Sequence, residues 1–427
     1  MEAEVVAPDA RKFLQSAQRA HFQSKQQPQL LYQPRFADGK LITELVSALE
    51  AFNLSECWLG LVPSQVGRAA SVDLATNAVI KAQSYTARKD VEVQDDCLRS
   101  DTQAISALRA DLLAADQTSL NDALLAAALL FCCETTLNPK VATVSPHSRG
   151  LSAIILLQAK QSSEPSELAR GILYFHWKGT FALPVALGES SPFDNQYWLS
   201  LEPASHKEAD KEVLRLRQLG QKLFIRLPRL IASVRSLRAG PAPGTAVGTA
   251  VQLAKDLVVL QDVHAENKVL HRISVVKTSD TAAASIVPFS FQYQDTTTFE
   301  AAVYYWQTRT LLNRLCIKLH DLCPLGNDVF DTATLKTENV RMAINIIMSS
   351  QYGCAIGVVG GWALCLAFVA VWGAAYDVPE LRRGGRPLSL SKVRPCLLST
   401  MIACMEGLRI STKRTWTKLQ SCLLVVR

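Results

Sequence analysis

Residues 355–375 read AIGVVGGWALCLAFVAVWGAA, 21 positions without a charge. As one helix this run would reach about 32 Å, enough to cross a ~30 Å hydrocarbon core. Only two environments accept such a helix: lipid, or the middle of a large protein core. Trp362 and Trp372 lie within it, and Arg382 with Arg383 follow. A membrane reading would make this a single-pass protein with a basic cytosolic tail. Against it, half of the run is glycine and alanine, and Gly360-Gly361 interrupt its middle. It is also the only such run, and it follows some 350 residues of amphipathic pattern. The expectation is therefore one buried helix, or two short ones, in a helical core, and no membrane association.

The rest of the chain supports that core. It has 427 residues, is 48% hydrophobic and only 19% charged. Ordinary domains carry about 25% charge, so there is much to bury and intrinsic disorder is excluded over most of the length. Leu41, Leu45, Ala48, Leu49 and Phe52 recur at helical steps. Residues 121–137, NDALLAAALLFCCETTL, are apolar almost all round, with Ser119 and Asp122 as a capping pair and Asn138-Pro139 as the stop. A helix over residues 147–160 follows. Residues 210–238 carry Leu216, Leu219, Leu223, Leu227, Leu230, Val234 and Leu237 on one stripe, with Pro228 expected to kink or divide it.

Further on, residues 239–248, AGPAPGTAVG, read as a linker. They lack the lysine of a phosphate-binding loop. Helices are expected to resume over 249–267, 298–323 and 334–350. The stretch SVVKTSD with TAAASIVPFSFQYQD is the best candidate for extended structure and equally suits a loop packed by aromatics, and the polar residues 86–101 are expected to contain a loop. No βαβ alternation occurs, so the predicted fold class is all-α, a large multi-helix domain with long loops. Residues 1–35, rich in glutamine, read as a polar lead or linker, and 36–427 as the helical domain.

The net charge of +7 is concentrated at one end. From Glu380 onward ten basic residues, among them Arg382, Arg386, Lys392, Arg409 and Lys418, face two acids, Glu380 and Glu406. Such an end suits phosphates or acidic proteins, or simply keeps the chain soluble. The eleven cysteines contain no Cys-x-x-Cys, so zinc ribbons and thioredoxin-like chemistry lack support. Their apolar settings predict core thiols in a reducing compartment. The start MEAEVVAPDARKFLQ lacks the apolar segment of a signal peptide.

Catalytic patterns are missing. There is no GxSxG, HExxH or GxGxxG. His264 and His271 are seven apart with no partner ligands, and His320-Asp321 are helix neighbours that cannot face each other. No catalytic, cofactor-binding or metal-binding residue is assigned, and no enzyme is expected.

Several stretches in order do resemble a known family. DALLAAALLFCCETTL followed by HSRGLSAIILLQ is similar to the fungal-specific transcription factor domain, the regulatory region of zinc binuclear-cluster regulators. Glu134, His147, Arg149 and Gly150 occupy that family's helix-end glutamate and its His-x-x-Gly motif opening a helix. LGQKLFIRLPRLIASV with Leu227-Pro228 resembles its mid-domain helix. AVYYWQTRTLLNRLCIKL resembles the long helix that follows, and RPCLLSTMIACMEGLRISTKRTW its end.

The resemblance covers roughly residues 40–416. It implies a nuclear transcription regulator, with residues 355–375 as a core element. The family's six zinc cysteines are absent: the first cysteine is Cys57, in a core-like stretch. DNA would then be read by a partner, or by a module encoded upstream. The partners implied are a transcription factor or coactivator. Direct DNA binding is left open, as is a small-molecule effector. By analogy the role is an auxiliary regulator of a secondary-metabolite gene cluster. The basic residues of the 210–238 helix, Arg215, Arg217, Lys222, Arg226, Arg229, Arg235 and Arg238, would form either a solvated face or a partner surface.

Overall fold

The computed structural model describes residues 38–377, apart from 52–57, 89–90, 115–116, 138–140, 162–163, 177, 203–209, 241–243, 280–287, 323–328 and 357. The glutamine-rich lead, Cys57 and the basic C-terminal end lie outside the described residues. The fold is all-α with one small sheet. Apart from two short connecting stretches, the chain divides into two compact units, one ending at Ile172 and one beginning at Leu173.

The first unit contains α1 (Asp38–Ala51), a 3-10 turn (Trp58–Gln65), α2 (Ala70–Arg88), α3 (Val91–Ala114), α4 (Gln117–Leu137) and α5 (Val141–Gln161). Its centre is the packing of α2, α3 and α4 on one another. From Leu120 to Leu130 nearly every residue of α4 is buried, as its uniform apolarity requires. Asp73 near the start of α2 accepts the Gly67 backbone N–H at 2.8 Å, where Gly67 turns with a φ of 86°. That conformation favours glycine.

The polar stretch 86–101, expected to contain a loop, is helical over 86–88, the end of α2, and over 91–101, the start of α3, while 89–90 lie outside the described residues. The buried face of α3 is a narrow stripe of small residues, Cys97, Ser100 and Ala104, while Asp95, Asp96 and Arg99 face solvent. Average polarity hides such a stripe. The helix α4 begins at Gln117, ahead of the expected start at Asn121, so Ser119 and Asp122 lie inside it and not at its start.

The second unit is built around α12 (Thr296–Leu322), buried almost continuously from Phe299 to Leu319. Against it pack α9 (Lys211–Ala239), α10 (Gly244–Val258), α13 (Thr332–Met348) and α15 (Val358–Asp377). Shorter elements complete it: the last residues of α6 (Glu167–Phe175), from Leu173 on, a π turn (Lys178–Ala182), α7 (Leu183–Leu187), α8 (Gln196–Ser200), α11 (Val263–Arg272) and α14 (Ser350–Ala355). Strands β1 (Ser274–Lys277) and β2 (Phe289–Gln292) pair antiparallel with Val275 opposite Phe291, the two stretches expected to be extended.

Pro228 neither divides nor ends α9, which runs through it. Leu223, Leu227 and Leu230 are fully buried on either side. Burying that continuous stripe outweighs the roughly 3 kcal/mol a helix-interior proline costs. Residues 244–248 are helical too, opening α10, so the linker is shorter than its composition implies.

Of the apolar run, residues 358–375 lie in the single helix α15, which runs through Gly360-Gly361, and Ala355 ends α14. In α15 Ala363, Leu364, Leu366, Ala367, Phe368, Ala370, Val371 and Ala374 are all buried, packed with α12, α13 and α14. A Cβ on Gly360 would overlap the Gly353 carbonyl, and one on Gly373 would overlap the Arg314 guanidinium. The glycines thus serve close approach to neighbouring protein groups, one of them charged, which a lipid-facing helix does not require. Among the described residues no helix is long and apolar enough to cross a membrane.

Candidate functional site

The basic face of α9 was one candidate surface. Most of its cations are engaged within the second unit. The Arg217 guanidinium lies 3.9 Å from the centre of the Tyr174 ring and is buried, a cation–π contact. Burial raises the Tyr174 phenol above its usual range, only partly opposed by Arg217. Arg229 and Arg226 face Asp194 at 3.1 and 3.8 Å. Asp194 is so enclosed that burial outweighs both arginines and lifts its carboxyl above the ordinary range. Arg235 donates to the Val185 carbonyl, and Arg215 donates to Asp262 at 3.2 Å. Cations committed this way tie α9 to α7, to the turn before α8 and to the start of α11.

The densest polar cluster lies between α11, α12 and α13. Glu266 is 2% exposed and accepts three bonds. The Trp306 indole N–H donates to Oε1 at 2.8 Å, and Arg341 donates from both terminal nitrogens at 2.6 and 3.1 Å. Arg341 also donates to Glu338 at 2.6 Å. Burial acts to lower the Arg341 pKa, but its bonds to the two glutamates prevail and raise it. Nearby, the buried Arg309 donates to the Val258 carbonyl and to Gln261, both at 3.0 Å.

This cluster has charge, burial and geometry, but its groups are mutually satisfied. A carboxylate already accepting an indole and a bidentate guanidinium has little capacity left for a metal. It works as a register lock between three helices, and removing one partner of such a pair typically costs about 3–5 kcal/mol.

Elsewhere on α12, Gln307 and Asn313 are fully buried with neither amide atom bonded among the described residues. They point to different sides of the helix, since six residues turn it through about 240°. At the sheet, Val275, Val276 and Phe289 leave apolar side chains exposed.

The sequence-derived candidates are dispersed. Glu134 is half-buried near the end of α4. His147 and Gly150 lie inside α5, which starts at Val141, so the pair does not open that helix. Leu227 and Pro228 are buried in α9. His271 bonds the Asn267 carbonyl of its own helix at 2.6 Å. Among the described residues no group of three or more His, Cys, Asp or Glu side chains could hold a metal.

Among the described cysteines Cys97, Cys133 and Cys316 are buried thiols, whereas Cys354 is exposed, so the core-thiol expectation holds for only part of the set. Two arrangements escaped sequence reasoning, the Glu266–Arg341 pair and the approach of Cys97 to Cys133. Both join residues far apart in the chain, and no local spacing signals either. No protein-family model, curated protein or solved structure matches this chain.

Proposed function

We propose that this chain is a nuclear regulator of fungal transcription that acts through protein partners and has no catalytic role. It serves as an auxiliary regulator, with a zinc-cluster transcription factor or a coactivator as partner, in control of a secondary-metabolite gene cluster. The supporting observation is one of order. The stretches that resemble the fungal transcription factor domain fall in sequence on α4, α5, α9 and α12 of an all-α chain, and the run placed in that family's core is buried in α15. The absence of the six zinc cysteines assigns DNA reading to the partner or to an upstream module. The engagement of α9 arginines within the protein agrees with a role that is not direct base readout.

Chromatin immunoprecipitation of the tagged full chain tests this, with and without a co-expressed zinc-cluster protein of the same gene cluster. Enrichment at cluster promoters only when the partner is present is expected. No enrichment in either condition overturns the reading.

A further inference from the structure

In the first unit Cys97 of α3 and Cys133 of α4 bring their sulfurs to 3.9 Å. Each sulfur is also 3.6 Å from the Ala78 carbonyl oxygen of α2, so three helices meet at this point. Both residues are buried, at 0% and 1% exposure. Thirty-five residues separate them in the chain, and only tertiary packing joins them. A disulfide requires sulfurs at about 2.05 Å. The pair must therefore close by roughly 2 Å, within reach of side-chain rotation and a small helix shift. We propose that Cys97 and Cys133 form a redox-active dithiol whose oxidation by a hydroperoxide staples α3 to α4.

The electrostatics agree with the geometry. The hydrogen bond between the sulfurs, reinforced by burial, pushes the Cys133 thiol far up, and the same bond lowers Cys97. Asp101 opposes ionisation of Cys97 and Lys81 favours it, while Asp101 and the neighbouring Cys132 add to the rise at Cys133. Cys97 is thus the nucleophile, and Cys133 keeps its proton until it resolves the intermediate.

The chemistry balances with one hydroperoxide. The Cys97 thiolate attacks a peroxide oxygen, the O–O bond breaks, and the leaving oxygen takes a proton to become water or an alcohol. Cys97 is now a sulfenic acid, oxidised by two electrons. The Cys133 sulfur attacks it, the S–O bond breaks, and hydroxide leaves with the Cys133 proton as water. One S–S bond has formed and the peroxide has been reduced.

Because both sulfurs are covered, oxidant enters through local opening of α3, whose outward face carries Asp95, Asp96 and Arg99. The exposed thiol of Cys354 has no such barrier. The staple then closes that opening, so oxidation stabilises the unit that admitted the oxidant.

The test treats the full-length protein with hydrogen peroxide and maps peptides by mass spectrometry without reduction. The expected product is a Cys97–Cys133 cross-linked peptide pair, two hydrogens lighter than the separate peptides and released by dithiothreitol. The apparent melting temperature should rise by roughly 5–15 °C on oxidation and fall back on reduction. Cys132→Ser should retain the link and Cys97→Ser should lose it. Mapping of the unmodified chain decides even if a variant misfolds. The proposal is overturned if both cysteines remain thiols while Cys354 is fully oxidised, or if Cys132 is the partner that forms the link.

Discussion

At the scale of single residues, the second unit contains polar groups of opposite standing. Glu266 is buried and fully bonded, whereas Gln307 is buried with neither amide atom bonded among the described residues. Leaving a buried amide unpaired costs about 1–3 kcal/mol. Gln307→Met keeps the volume and removes that cost, so urea denaturation should show stability raised by about 1 kcal/mol or more. A loss instead would reveal a buried water or ligand bonded to the amide. Asp262 offers a test with pH. It accepts the Ala265 backbone N–H at 2.9 Å and pairs with Arg215, and these contacts, the cap bond foremost, hold its carboxyl below the ordinary range against slight burial. A depressed folded pKa contributes stability above the unfolded value and loses it as pH falls through the folded one. Asp262→Asn keeps the capping oxygen and removes the charge. It should cost about a few tenths of a kcal/mol at pH 7, with the difference from the parent shrinking from about pH 4 downward.

At the scale of elements, the glycines separate two jobs that composition merges. Gly360 in α15 sits where a Cβ would overlap the Gly353 backbone, and backbone cannot yield as a flexible side chain can. Gly248 in α10 has open space around it. Gly360→Ala should destabilise by about 1–3 kcal/mol through overpacking, whereas Gly248→Ala should stabilise by up to about 1 kcal/mol through helix propensity. Thermal unfolding followed by circular dichroism reads both. Many long elements were legible from periodicity: the stripe of α9, the apolar α4, and α12 as far as Leu322. Less legible were α3, where a stripe of small residues lies beneath many charges, and the continuity of α9, where burial around Pro228 overrides the division a proline can impose.

At the scale of the whole molecule, charge and packing divide the functional question. The basic excess lies beyond Glu380, while most of the α9 arginines are tied to Asp194, Asp262, Val185 and Tyr174. Polyanion binding should therefore depend on the C-terminal end. Neutralising Arg382, Arg383, Arg386, Lys413 and Arg414 to glutamine should abolish retention on heparin at about 100–200 mM salt, and Arg229→Gln should leave it unchanged. Equal losses would place the anion-binding surface on α9.

By itself the sequence determined the helical class, most long elements and the uneven charge, because these follow from the spacing of neighbouring residues. Tertiary structure alone decided that the uncharged run is buried against α12, that most of the α9 arginines find partners within the fold, and that Cys97 meets Cys133. Each of these joins residues dozens of positions apart. Such pairings are set by how helix faces pack to remove apolar surface from water, and no local window of sequence records them.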